Sequence, residues 1–290
     1  MTEPVDIATL LARGTRTLSA LGIDGAGREA RLLLQHVAAI PLSTQIAFGE
    51  RVVAATAVEA FDAALARRCR REPLSYILGY REFWSLPFQV TADTLDPRPD
   101  SETLIEAVLG ELRRQDPTLI ATPLSLIDFG TGSGCLLLAL LSELPRAQGL
   151  GIDLNPGAVT VATANAERLG LAPRARLKKG NWDEGVTETF DIVISNPPYI
   201  PSEEIGALQP EVAKFEPRLA LDGGADGLEA YRNLAGTVLR VMKPTGFAAF
   251  EIGAGQGPDV IAIMQANGLR HIASASDLQA HERVLIFRKP

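Results

Sequence analysis

A chain of 290 residues, 46% apolar and 22% charged, has the length for one full α/β domain plus a smaller companion with its own core. No apolar run reaches the roughly 18 residues a membrane span needs, and the opening MTEPVDIATL carries two acids and no basic segment, which argues against a secretory signal and for the cytoplasm. The formal net charge of −7, from 28 basic and 35 acidic side chains, disfavours direct binding of duplex DNA through its phosphates.

Taken in chain order, residues 1–75 read as a helical domain. Ile7, Leu10, Leu11, Thr15 and Leu18 recur at helical spacing, as do Ala30, Leu33, Leu34 and Val37, then Val53, Ala57, Phe61, Ala64 and Leu65. Gly22 with Asp24, and Pro41 with Leu42, supply the breaks. Each helix has one apolar face, so the three must pack as a small bundle. The cluster Arg67, Arg68, Arg70 and Arg71 at the end of the third stripe reads either as a solvated helix end or as a surface for an anionic partner.

Residues 76–98 form the linker. Glu82-Phe83-Trp84 and Phe88-Gln89-Val90 flank Ser85-Leu86-Pro87, the pattern of a short hairpin. Pro97 and Pro99 forbid regular structure before Asp100, and Asp100 or Ser101 can cap the helix that follows. From there to residue 290 strand and helix alternate. Strand-like runs lie at 125–129, 149–154, 175–179, 191–195, 247–252 and 284–287, with helical stretches at 135–142, 156–169, 228–241 and 258–266. That alternation predicts a doubly wound α/β sheet whose functional residues sit at the carboxyl ends of its strands.

The first of those ends is Asp128-Phe129-Gly130-Thr131-Gly132-Ser133-Gly134. Glycine is needed where the backbone turns tightly and a ligand lies against it. The spacing is G-x-G-x-G, which differs from the dinucleotide fingerprint, and the lysine of a phosphate-binding P-loop is missing. The second strand ends in Gly151-Ile152-Asp153, where a carboxylate can accept both hydroxyls of a ribose, and Asn155-Pro156 suits the start of a helix. After the third strand, Gly180-Asn181-Trp182-Asp183 offers a polar side chain and an indole to an adenine ring. Asp128 either orients the loop or approaches an ammonium group. Together these fit S-adenosyl-L-methionine better than a dinucleotide. Cys69 and Cys135 stand alone, and His36, His271 and His281 lack ligand spacing, so neither a disulfide nor a metal is expected. Cys135 reads as a small helix residue behind the glycine loop.

The fourth strand ends in Asn196-Pro197-Pro198-Tyr199. A double proline stiffens this edge and exposes carbonyls. A planar –NH2 group can donate one hydrogen to the Asn196 side-chain oxygen and the other to the Pro197 carbonyl, while the Tyr199 ring stacks on its plane. An amide nitrogen is a poor nucleophile because its lone pair is delocalised. Two fixed acceptors aim it at a sulfonium methyl with no metal or covalent intermediate.

These residues resemble the HemK-type or PrmC-type release factor glutamine methyltransferases over nearly the whole chain. The resemblance also takes in Arg71-Glu72-Pro73-Leu74, Tyr76-Ile77-Leu78-Gly79, Phe83-Trp84, Pro97-Arg98-Pro99-Asp100-Ser101-Glu102, Phe215-Glu216-Pro217-Arg218, Gly224-Ala225-Asp226-Gly227 and Glu251-Ile252-Gly253. It implies a seven-stranded, Rossmann-like class I methyltransferase sheet over 99–290. A β-hairpin linker would join this sheet to an N-terminal helical bundle that helps hold the substrate. It implies a cytoplasmic, monomeric enzyme that methylates the glutamine N5 of the Gly-Gly-Gln element in class 1 peptide chain release factors. Carried over, the cofactor contacts are residues 130–134, Asp153 and Trp182, with Asp128 and Asn196 beside them. The acceptor contacts are Asn196, Pro197, Pro198 and Tyr199. Two places depart from the pattern: Asp96 stands where isoleucine usually precedes Pro97, and Asp277-Leu278-Gln279-Ala280-His281 lacks a usual glycine.

Three rivals compete with this reading. A ribosomal-protein glutamine methyltransferase shares the catalytic residues, and the proline-arginine linker with the Phe215-Glu216-Pro217-Arg218 segment favours release factors over it. A DNA adenine methyltransferase would carry a target-recognition region and a basic duplex-facing surface, and neither is visible. A binding module on a degenerate methyltransferase fold would not need Asp153 and Asn196.

Overall fold

The computed structural model describes residues 4–182 and 184–290, so Asp183 of the predicted adenine loop lies outside the described residues. Helices α1 (Ile7–Ala20), α2 (Ala26–Ala38), α3 (Leu42–Ala47), α4 (Ala55–Cys69) and α5 (Leu74–Leu78) come first, followed by strands β1 (Tyr80–Phe83) and β2 (Leu86–Gln89). The remainder runs α6 (Glu102–Gln115), β3 (Ser125–Phe129), α7 (Cys135–Glu143), β4 (Gln148–Asp153), α8 (Pro156–Arg168), β5 (Ala175–Lys179) and β6 (Phe190–Ser195). It ends with α9 (Pro210–Phe215), α10 (Glu229–Val241), β7 (Met242–Glu251), α11 (Gly257–Ala266), β8 (Arg270–Ser276) and β9 (Glu282–Arg288). Two compact units result: residues 1–79 with 210–215, and residues 80–209 with 216–290.

In the helical unit, Asp6 caps α1 by accepting from the Thr9 amide at 2.7 Å. Ile7, Leu10, Leu18, Leu33, Leu34 and Phe61 are among the residues that fill its core. Gly14 lets α1 and α4 approach, because a Cβ there would stand 2.8 Å from the Phe61 ring. Three of these four arginines are ion-paired within the unit, and of the four only Arg68 is buried. Arg67 pairs with Glu72 at 2.5 Å, and Arg68 with Glu29 at 2.6 Å and Glu211 at 2.8 Å. Arg71 pairs with the same Glu211 oxygen at 2.9 Å, and only Arg70 is exposed. Glu72 is close in sequence, but Glu29 and Glu211 lie on other helices, where sequence spacing cannot reveal them.

In the larger unit the seven strands are ordered β5-β4-β3-β6-β7-β9-β8. β3 to β7 run parallel, and β9 is antiparallel to both β7 and β8. Alternate residues face opposite layers, as the period of a strand requires. Leu126, Ile192, Ile194, Phe247 and Ala249 pack against α6 and α7, whereas Ile127, Phe129, Val193, Ala248 and Phe250 pack against α10 and α11. The β1–β2 hairpin turns at Trp84 and Ser85, both at positive φ, as a two-residue hairpin turn demands. The Trp84 amide donates to Glu102 at 2.7 Å and its indole N–H to Glu143 at 2.8 Å, which offsets the backbone strain. Phe83 and Phe88 bury their rings edge to face beneath it. Ser101 stands at the start of α6 but its side chain makes no cap there, contrary to the expected role: its backbone is already helical, continuing the turn Pro99–Ser101, and its hydroxyl accepts from Asn196. No helix among the described residues is long and apolar enough to cross a membrane.

Candidate active site

The chain passes from β3 to β4 and β5 on one side, then returns to β6 on the other, so β3 and β6 meet at the topological switch where such sheets bind ligands. Side chains and loop backbone stitch the strand ends together. The Ser195 hydroxyl donates to the Phe129 carbonyl at 2.6 Å, joining the last residues of β6 and β3. The Gly130 and Thr131 amides both donate to the Ile152 carbonyl, at 2.9 and 3.0 Å. The Gly132 amide donates to one Asp153 oxygen at 2.8 Å, and the Asn155 amide to the other at 2.9 Å. Asn155 in turn caps α8 through the Gly157 amide, as its position predicts. Asp153 therefore holds the glycine loop as well as presenting a carboxylate, and burial raises its pKa.

A cavity of about 300 Å³ opens over these ends. Residues 130–133, Asp153, Trp182, Asn196 and Pro198 line it. Gly130 and Gly132 have φ of 71° and 55°, and a Cβ on either would meet no protein atom within 4 Å, leaving the loop backbone bare toward open space. Such a cradle fits a ligand lying flat against the backbone. Gly134 is required for packing instead. A Cβ there would press Leu138 and Ala162 at 3.2 and 3.3 Å, so its absence sets how closely α7 meets α8.

Other predicted residues stand behind the wall. Asp128 is fully buried, accepts from the Thr131 hydroxyl at 2.6 Å, and does not line the cavity. Burial pushes its carboxyl up to about 7, with the nearby Asp153 adding to the shift. Of its two readings, loop orientation fits this position and direct ligand contact does not. Pro197 is buried. The Tyr199 ring packs against the core around α10 and does not line the cavity, because Gln256 grips the Tyr199 carbonyl at 3.0 Å and Gly253 lies close to the ring. Burial raises its phenol to about 12, and the Cys135 thiol also reaches about 12, so both stay protonated. No group of His, Cys, Asp and Glu suited to a metal exists among the described residues.

Sequence reasoning missed several wall residues, among them Arg98, Leu154, Leu219 and Glu229. Arg98 was visible within its motif but its reason was not: it pairs at 2.6 Å with Glu216, whose side chain is 1% exposed, next to the buried Asp96. The unusual Asp277 segment is held by its own carboxylate. That group accepts from the Gln279 and His281 amides and pairs with Arg283 at 2.9 Å, so the side chain organises the turn that a glycine would otherwise ease.

Comparisons with known proteins agree with this geometry. Residues 9–79 match the PrmC N-terminal domain model and residues 116–215 the methyltransferase small domain model. The sheet is similar to that of a methyltransferase from Pyrococcus furiosus, with a TM-score of 0.51 at 16% identity over 77% of this chain and 97% of that one. At that identity the likeness establishes the fold alone. Much nearer in sequence is the release factor glutamine methyltransferase of Rhodospirillum rubrum, 47% identical over 98% of this chain and 85% of the relative. That of Cereibacter sphaeroides is 42% identical over 98% of each. Identity at that level across both units, with a glycine loop and an Asn-Pro-Pro-Tyr edge facing one switch point, leaves a single assignment: the chain belongs to the release factor glutamine methyltransferase family.

Proposed function

We propose that this chain transfers a methyl group from S-adenosyl-L-methionine to the N5 amide nitrogen of the glutamine in the Gly-Gly-Gln element of class 1 peptide chain release factors. The observation that carries the reading is the meeting, in one cavity, of a bare glycine cradle and Asp153 with the side chain of Asn196. S-adenosyl-L-methionine supplies an electrophilic methyl on a sulfonium. The backbone at Gly130 and Gly132 would hold its methionyl portion, Asp153 its ribose and Trp182 its adenine. Asn196 orients the amide by accepting from one N–H, and the Pro197 carbonyl is proposed as the second acceptor. Both act by position and fixed dipoles, which is where an amide nitrogen gains most. The helical unit is proposed to recognise the release factor away from the methylated residue.

Purified chain with labelled S-adenosyl-L-methionine should label a recombinant release factor, and peptide mass spectrometry should place the methyl on that glutamine. Label on a ribosomal protein or on duplex DNA, with release factor untouched, would overturn the substrate. A second expectation concerns the cofactor. Replacing Asp153 by Ala removes a charged acceptor, and such hydrogen bonds contribute about 1.5–3 kcal/mol, so affinity should fall about tenfold or more. A calorimetric Kd within about twofold of the parent would remove Asp153 from the ribose site.

A further inference from the structure

Glu251, the first residue of Glu251-Ile252-Gly253, has no part in the chemistry described so far. It ends β7, next to β6, and the register pairs Ser195 with Phe250, so Glu251 lies beside Asn196, the first residue past β6. Glu251 is 1% exposed. The neighbouring Ser101 hydroxyl and Asn196 amide favour the charged form of its carboxyl against the cost of burial, and one carboxylate oxygen has no hydrogen-bond partner in the protein. The Asn196 Nδ2 donates to Ser101 Oγ at 3.3 Å. The nearest cation is engaged elsewhere, since Arg283 pairs with Asp277 at 2.9 Å and donates to the Ile252 carbonyl. Tyr231 fixes the backbone here by donating to the Glu251 carbonyl oxygen at 2.9 Å. A buried acid with no cation of its own costs stability and needs another reason to be there.

We propose that Glu251 is a positioning residue for the acceptor amide: its carboxylate and the Ser101 hydroxyl take the Nδ2 hydrogens of Asn196, so that Oδ1 is left facing the cavity. This rests on the reading of Asn196 given above. The two ends of an asparagine amide have nearly the same shape, and only their partners decide which faces the cavity. A flipped amide would present a donor to the donor N–H of the glutamine and turn an attraction into a repulsion. Burial pushes the Glu251 carboxyl up to about 7, while Ser101 and Asn196 favour its charged form, and in that form a carboxylate can only accept, so it fixes the orientation from behind.

The test is a kinetic double-mutant cycle on the full chain with whole release factor. Glu251→Ala should lower kcat about tenfold or more, as loss of orientation does, with KM for S-adenosyl-L-methionine within about twofold. Glu251→Gln should lose less than Glu251→Ala, because its amide oxygen still accepts although its N–H adds a donor that the carboxylate lacks. In an Asn196→Ala background, Glu251→Ala should cost less than about a further twofold, since residues acting through one another are not additive. If Glu251→Ala does not fold, Glu251→Asp withdraws the same charge by one methylene and carries the same cycle. Additive losses, or a Gln variant as impaired as the Ala variant, would overturn the assignment. An Asn196→Ala enzyme with parental kcat would instead sink the acceptor role of Asn196, and the cycle shows which of the two has failed.

Discussion

Asn196→Ala is expected to lower kcat on release factor by about two to three orders of magnitude, the usual cost of removing one preorganised group from a reacting centre. The Kd for S-adenosyl-L-methionine should stay within about twofold. The split follows from where Asn196 stands. It lies past the end of β6, across the switch point from the glycine loop, and its side-chain amide donates to Ser101 at the start of α6, well away from the bonds that shape the loop. Its oxygen gains value as the methyl moves, when the amide nitrogen loses electron density and its N–H bonds become more acidic. An interaction that strengthens toward the transition state appears in kcat, and one made equally in the ground state appears in KM. Single-turnover methylation with saturating cofactor would isolate the step. A variant that keeps kcat within about threefold would show that Asn196 only lines the wall.

The second large effect is on stability. Arg68→Ala should destabilise the helical unit by about 3–5 kcal/mol, the range for breaking a buried pair from one side. The Arg68 side chain is 6% exposed and bridges Glu29 and Glu211, whose side chains are 16% and 14% exposed. Removing it leaves Glu29 without that cation and Glu211 with Arg71 alone. The exposed pair Arg176–Glu188 is the internal control, and Arg176→Ala should change stability by less than about 1 kcal/mol. Burial works against Glu211, yet the arginines hold its pKa below the usual carboxylate range. A depressed acid contributes stability above its unfolded pKa of about 4.3 and loses it as pH falls through the folded value. The gap between parent and Arg68→Ala should therefore stand at neutral pH and narrow only in acid. Denaturant titration of both chains measures it, and a loss under about 1 kcal/mol would mean that the acids find water or other partners.

Much of this architecture is readable from local pattern. Strands β3 and β5 begin and end where the sequence indicates, and β4 and β6 differ by a residue at one or both ends; for β3, β4 and β6 the reason is that buried parallel strands are short apolar runs with abrupt ends. β8 is not legible as a strand. Its sequence Arg-His-Ile-Ala-Ser-Ala-Ser is small, polar and half-exposed, as suits an edge, and pairing with β9 alone makes it a strand. The short helices α3, α5 and α9 span five or six residues, too few for a periodic signal. In the site, glycines, Asp153 and Asn196 are legible because each is a residue type the chemistry demands at a strand end. Ser101 and Glu251 are not, since their meaning arises only when β6, β7 and the start of α6 come together.

The division of the chain into units has a consequence for how it can be taken apart. The path crosses between them at 79–80, 209–210 and 215–216, so the smaller unit is completed by a segment delivered late in synthesis. A ribosome that has made only the first 79 residues has made Arg68 and Arg71 without their shared acid, Glu211. The helical unit therefore receives its last segment only after four of the seven sheet strands, β3 to β6, have been translated. Cutting the polypeptide once, at the hairpin, would leave a nicked molecule whose larger piece still carries the carboxylate that the smaller piece needs.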